Sequence, residues 1–457
     1  MKMTLSEIVQ AIGLDVSETQ QYQYQNTVVT SICIDSRQAR PGSLFVPLID
    51  QRDGHDFVEQ AKAAGAVATF WQAGHSGRPT DLQVIEVTEV LPALQKLARY
   101  YLLKVNPKVV AITGSNGKTT TKDMIAAILA KQHNTAKTQA NFNNEIGVPL
   151  TILSMETNTE VLVVEMGMDR PGQLKFLSNL VQPDVAVITM IGEAHIEFFG
   201  TRAKIADAKM EITDGLKEDG LLIVNGDEPL LTARSADFGP RTFGFKEENY
   251  LYPTAMTLTK NHSEFSVNRW PEVTFTVPMI GEFNVLNALA ALLVGRHYHV
   301  TPEQMAQALA HFQPTENRTQ WLTGDAGEEI LSDVYNSNPT AAREVLESFV
   351  KVATKGRHVA VLGDMLELGD QAEKLHADLA SELDPRHIEE IYLYGDLIQS
   401  LYHRLRGVYP AEKLHYYPLG QQAALIADLK NDLHYGDMVL LKGSNGMKLK
   451  QVVQALL

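Results

Sequence analysis

The chain has 457 residues, a formal net charge of −15, 44% apolar residues and a single cysteine. That charge excludes broad electrostatic attraction to nucleic acid or anionic membrane, and one cysteine, Cys33, excludes an intramolecular disulfide and suits a reducing compartment. The length leaves room for about three domains at roughly 150 residues each, and no apolar run reaches the ~18 residues of a membrane span. A cytoplasmic monomer is the expectation.

The N-terminal "MKMTLSEIVQAIG" places Thr4 and Glu7 in capping-box spacing, which predicts a short helix and not a signal peptide. Residues 1–85 form a small mixed α/β unit, with strand-like runs in "SICIDSRQARPGSLFVPL" interrupted at Pro41-Gly42. Cys33 sits there as a buried small apolar residue. "VLPALQKLARYYLLK" then predicts a helix over 90–104, ended by Asn106-Pro107.

Residues 86–313 read as a central doubly wound α/β domain. Its strands are the nearly continuous apolar runs "VVAIT", "VLVVEMG", "DVAVITMIG" and "GLLIVNGD", as a parallel sheet buried on both faces requires. "NRWPEVTFTVPMIGEFNVLNALAALLVG" predicts an antiparallel edge followed by an amphipathic helix. Residues 314–457 restart the alternation with "EEILSDVYN", "RHVAVLGDM", "EEIYLYGD" and "DMVLLKGSNG", a smaller Rossmann-like α/β domain.

"AITGSNGKTTTKDM" joins the first central strand to a helix. Backbone N–H groups at a helix N-terminus favour phosphate. The usual phosphate loop has a glycine five residues before its second one; Ile112 stands there, and the upstream glycine is Gly114. Gly114 and Gly117 permit close approach of a ligand, Lys118 can bridge the β- and γ-phosphates, and the Thr119 hydroxyl can sit on Mg²⁺. This predicts a P-loop ATPase domain; the bland alternative is a turn with a surface lysine. Glu165 closes the strand "VLVVE" and His195 lies beyond the next strand, a carboxylate and an imidazole suited to a divalent ion or to ordinary solvation. The tail "KGSNGMKLK" echoes the loop, but Met447 replaces the lysine and Lys448 the threonine, so a second ATP site fails. By itself Lys209 is one more helical surface lysine.

"TGSNGKTTT" resembles the variant loop of the Mur ligase family, T-G-x-N-G-K-[ST], which accounts for Ile112. The likeness extends through "DSRQARPGSLFVPL", "DGHDFVEQAKAAGA", "NFNNEIGVPLTIL", "EMGMDRPGQL", "SDVYNSNPTA" and "LGDMLELG", nearly the whole chain. It implies an ATP-dependent amide ligase of peptidoglycan precursor synthesis, of the branch that joins D-Ala-D-Ala to UDP-MurNAc-tripeptide through an acyl phosphate. It further implies that Gly114, Ser115, Asn116, Gly117, Lys118, Thr119 and Thr120 hold ATP. Glu165 and His195 would join Thr119 around Mg²⁺, two ions in number, with Lys209 as a carbamylated ligand. Asn284, Asn287, Arg318 and Asp333 would complete the ATP site; Phe283 stands where the family often has histidine, and Asn317 where it has glycine. Tyr335, Asn336 and Asn338 would neighbour the closed site, Ser36 and Arg37 seat the uridine diphosphate, and Asn143 and Asn144 face the sugar–peptide. Asn445 and Lys450 replace an arginine and a glutamate of related enzymes. The rivals are the sister branch that adds a free amino acid, whose D-N-P-R string is absent from this sequence, and, from another class, a small-molecule kinase.

Overall fold

The computed structural model describes residues 1–15, 24 and 26–457. The N-terminal helix Leu5–Ala11 starts as the capping spacing requires, the Thr4 hydroxyl accepting from the Glu7 N–H. A four-stranded parallel sheet comes next, in the order Ser31–Cys33, Ser43–Phe45, Ala66–Gln72 and Gln83–Val87. Cys33 is buried, and burial pushes its thiol up to about 11, the behaviour of an inert core residue. The helix Val90–Val105 leads away from this sheet and ends on Asn106 in the left-handed conformation at φ 52°, a position asparagine tolerates better than most residues.

The central sheet has six parallel strands, ordered Arg241–Phe243, Leu221–Asn225, Val185–Ile188, Lys108–Thr113, Val161–Glu165 and Thr135–Lys137. The chain starts in the middle, at Lys108–Thr113, winds to one side, then crosses back and winds to the other. In doubly wound sheets that reversal opens a crevice at the carboxyl ends of the strands, and the loop after Thr113 lies there.

Two expectations need correction. The strand expected after Asn268 does not edge the central sheet; Trp270–Val277 pairs with Ser263–Val267, and that strand with Pro253–Leu258, in a separate three-stranded antiparallel sheet. The helix Glu282–His297 is not amphipathic either, for every residue from Asn287 to Gly295 is buried. It packs between the phosphate-loop helix Lys118–Leu129 and the antiparallel sheet, and a helix enclosed on all sides is apolar all round.

The C-terminal sheet runs Gln320–Thr323, Glu329–Asp333, Met438–Lys442, His358–Gly363, Glu390–Tyr394 and Leu414–Tyr417, parallel except for the first pair. The last strand of the sequence, Met438–Lys442, inserts between Glu329–Asp333 and His358–Gly363. Its final residue, Lys442, is thereby set beside Asp333, and both face the central crevice. Among the described residues no helix is long and apolar enough to cross a membrane.

Candidate active site

The two doubly wound sheets enclose a cavity of about 640 Å³ lined from both sides. The phosphate loop forms one wall. Gly117 holds φ 80° at the cap of Lys118–Leu129, and no side chain among the described residues caps that helix, so its first N–H groups are left for a ligand. A Cβ on Gly114 would lie 1.8 Å from the Thr189 hydroxyl, and one on Gly117 2.3 Å from Asn287 Oδ1. The Lys118 ammonium curls back and donates to the carbonyls of Gly114 at 2.8 Å and Ser115 at 3.4 Å. Burial, with Arg318 adding to it, holds its pKa below the ordinary lysine value against the opposing pull of Glu165. A polyanion in the loop would relieve both effects.

Thr119 and Glu165 meet next to Lys118. The threonine hydroxyl donates to Glu165 Oε2 at 2.9 Å, while Asn143 Nδ2 donates to Oε1 at 2.9 Å. A hydroxyl and a carboxylate at one point are the hard oxygen donors that Mg²⁺ takes. His195 lines the same cavity with Nδ1 2.5 Å from Glu367 Oε2, and its backbone is left-handed at φ 64°. Lys209 is not the surface lysine its helix suggests: it is 2% exposed, lies in no ion pair among the described residues, and burial together with Lys118 drives its pKa well below the ordinary lysine value.

The opposite wall comes from residues after 314. Arg318 Nη2 donates to the Thr119 hydroxyl at 3.0 Å, its guanidinium stacks over Tyr335 at 4.0 Å, and its buried Nε has no partner among the described residues. The turn that carries it survives the missing glycine, since Asn317 takes φ 59°. Asp333 accepts from the Thr319 N–H at 3.2 Å and from Lys442 Nζ at 2.5 Å. Asn338 caps the helix Pro339–Val350 and exchanges hydrogen bonds with Asn116 of the phosphate loop at 2.6 and 3.2 Å. Asn287 accepts from Thr121 and donates to Asn284 at 3.2 Å each, bracing the loop from behind.

Of the remaining expected residues, Ser115, Thr120 and Asn336 line the cavity. Asn144 borders it too, but its side chain caps Gly147–Ser154 by accepting from the Ile146 and Gly147 N–H groups. Ser36 and Arg37 are not brought to this cavity; the Ser36 hydroxyl donates to Gln60 and Arg37 folds onto Asp35. Sequence reasoning missed Lys442, Glu344, Thr340 and Thr189, all on the cavity wall. Lys442 had a signal, because it ends an apolar strand as Glu165 does; Glu344 had none beyond its place on an ordinary helix.

A second group of metal-type donors, Asp53, His55 and His75, lies in the N-terminal sheet. His55 Nε2 accepts from the Gln72 N–H, so its proton is on Nδ1 and goes to Asp53; His75 faces Asp53 with one ring nitrogen and the Ser76 carbonyl with the other. Hydrogen bonds within the cluster and to the backbone hold the two histidines and Asp53 in place.

Family models agree with the geometry. "Mur ligase family, catalytic domain" matches 28–102, "Mur ligase middle domain" 112–295, and "Mur ligase, glutamate ligase domain" 317–445. The UDP-N-acetylmuramoyl-tripeptide–D-alanyl-D-alanine ligase of Bacillus subtilis (strain 168) is 39% identical over 95% of this chain and 94% of its own. The chain belongs to the Mur ligase family. The enzyme of the same name from Escherichia coli (strain K12) is 30% identical over 100% of this Mur ligase and 98% of its own length. Among solved structures, MurF from Acinetobacter baumannii superposes with a TM-score of 0.85 at 28% identity, covering 100% of this chain and 99% of that one. MurF from Thermotoga maritima in complex with ADP gives 0.80 at 28% identity, covering 94% and 97%.

Proposed function

We propose that this Mur ligase joins D-Ala-D-Ala to UDP-MurNAc-tripeptide in the cytoplasm, with ATP converted to ADP and phosphate. The observation that carries the reading is the two-walled cavity, in which Thr119 of the phosphate loop is bonded to Arg318 of the opposite wall, in a chain related end to end to enzymes of that name. A carboxylate is a poor acyl donor because its leaving group would be oxide, and phosphorylation supplies a good one. The tripeptide's terminal carboxylate would attack the γ-phosphate of ATP, giving an acyl phosphate and ADP. The dipeptide amine would then attack the acyl carbon and release phosphate.

Two anions must meet in the first step, so charge has to be neutralised where it develops. Lys118 and Arg318 would supply that neutralisation, and Gly114, Ser115, Asn116, Gly117 and Thr120 would offer backbone donors. Asn284, Asn287 and Asp333 would hold the loop and the nucleotide; Tyr335, Asn336 and Asn338 would close the far side, and Asn143, Asn144, Ser36 and Arg37 would meet the UDP-substrate. Thr119, Glu165 and His195 would hold Mg²⁺, which supplies charge neutralisation for the phosphoryl oxygens. Lys209 is suited to carbamylation, since only the neutral amine reacts with CO₂ and burial favours that form; the carbamate would add a carboxylate-like donor.

Phosphate release should require ATP, Mg²⁺, UDP-MurNAc-tripeptide and D-Ala-D-Ala together, with the amide product found by mass spectrometry. Turnover instead with a free amino acid and UDP-MurNAc-dipeptide would assign the sister branch. Phosphoryl transfer to a stable product without phosphate release would make the protein a kinase.

A further inference from the structure

Glu344 stands on the helix Pro339–Val350, past the Asn338 cap, and lines the cavity from the C-terminal wall. The other carboxylates that face this cavity accept hydrogen bonds from neighbouring side chains, whereas Glu344 accepts none among the described residues. It also lies in no ion pair among the described residues, and Lys442, on the same cavity wall, is held by Asp333 and the Asn336 carbonyl. A half-buried carboxyl on a cavity wall, without a side-chain partner among the described residues, is an unfilled acceptor.

The proposed reaction brings a matching group. The dipeptide arrives as an ammonium, which has no lone pair, and must lose a proton before it can attack. We propose that Glu344 receives the ammonium of the incoming D-Ala-D-Ala and takes its proton. This deepens the ligase reading and rests on it.

The step balances. One ammonium proton passes to the Glu344 carboxylate, leaving a neutral amine. The nitrogen lone pair forms the C–N bond at the acyl carbon, the C–O bond to phosphate breaks, and its electron pair leaves with the phosphate. A second N–H proton goes to that phosphate, and Glu344 returns its proton to water when the products depart.

The surroundings suit a base that works near neutrality. Burial pushes the Glu344 carboxyl up to about 7, with Glu347 on its own helix, Glu193 of the central domain and Asp333 adding to the rise and Lys442 opposing it. Such a group is ionised enough to accept a proton at neutral pH and basic enough to draw one from an ammonium.

The test compares wild type, E344Q and E344D as full-length enzymes, with D-Ala-D-Ala and with hydroxylamine as acceptor. Hydroxylamine is unprotonated at neutral pH and needs no base, so the hydroxamate it forms reports the acyl phosphate directly. E344Q should lose about 10²-fold or more in kcat/KM for D-Ala-D-Ala and the acid limb near pH 7 of that profile, yet form hydroxamate at the wild-type rate with unchanged KM for ATP. E344D, which keeps a carboxylate, should recover part of the loss. Hydroxamate formation also certifies that E344Q is folded. An E344Q profile within about threefold of wild type at every pH would overturn the assignment of Glu344 and leave the ligase reading intact, as would a parallel loss with both acceptors. A wild-type enzyme that makes hydroxamate but never the dipeptide product would overturn the choice of acceptor, and with it the proposal.

Discussion

The chain contains the string Gly-Ser-Asn-Gly twice, at 114–117 and 443–446, each time just after a strand of a doubly wound sheet. The first copy is open. Gly117 caps a helix with its N–H groups unclaimed, and Lys118 rests on the loop's own carbonyls. The second copy is closed. Ser444 is buried, donates its N–H to the Asp364 carbonyl and accepts the Leu366 N–H on its hydroxyl, and Met447 fills the C-terminal core. Four identical residues thus make an anion cradle in one place and a structural turn in the other. The difference lies in the next three residues, Lys-Thr-Thr against Met-Lys-Leu, and in the side chains packed above. A phosphate loop needs a cation and a hydroxyl at the helix start, whereas an apolar side chain there pulls the loop into the core.

That contrast can be broken experimentally. Lys118→Ala should lower ligase turnover by about 10³-fold, the scale of losing a group that neutralises transition-state charge, while Lys448→Ala stays within about twofold; steady-state phosphate release reads both. Lys442→Met, at the entrance of the second copy, should cost about 3 kcal/mol because it strands the Asp333 carboxylate. Lys450→Met breaks only an exposed contact at 3.9 Å with Glu316 and should move stability by less than about 0.5 kcal/mol, both measured by urea unfolding.

Gly117→Ala puts a Cβ 2.3 Å from Asn287 Oδ1 at φ 80° and should cost about 1–2 kcal/mol, with weaker ATP-analogue binding by calorimetry. Gly446→Ala meets only the end of the Leu366 side chain, 2.8 Å away, and should be nearly silent. The smallest effect is on pH dependence. Burial lowers the pKa values of Lys118 and Lys209 in the folded protein. Between those lowered values and the ordinary lysine value near 10.4, the unfolded chain binds more protons, so stability of the empty enzyme rises with pH. Lys118→Met should flatten part of that rise in melting temperatures taken on the alkaline side, and ATP analogue with Mg²⁺ should flatten it in the wild type. An unchanged slope would mean that Lys118 is not held uncomfortably in the empty loop.

Elements with a strong local pattern are legible in the residues alone. The helix ending at Asn106, the parallel strands from Lys108 to Asn225, the phosphate loop, and Glu165 at the end of its strand all arise from period, caps and glycines. The strand Trp270–Val277 misleads because β-propensity reports a strand without reporting which sheet it joins. The helix Glu282–His297 misleads because a fully enclosed helix has no polar face to announce it.

The sequence by itself determined the element order, the nucleotide loop and the family likeness, because each is written in residues a few positions apart. Only the tertiary structure decided which charges are buried and which are paired. Asn116 meets Asn338 across 222 positions of sequence, and Lys442 meets Asp333 across 109. Lys209 becomes a buried amine, and Glu344 an acid with no side-chain partner among the described residues, only once the two sheets enclose a cavity. Desolvation and pairing depend on distances that local sequence does not encode, so the chemistry of those two groups emerges only when the two walls are brought together.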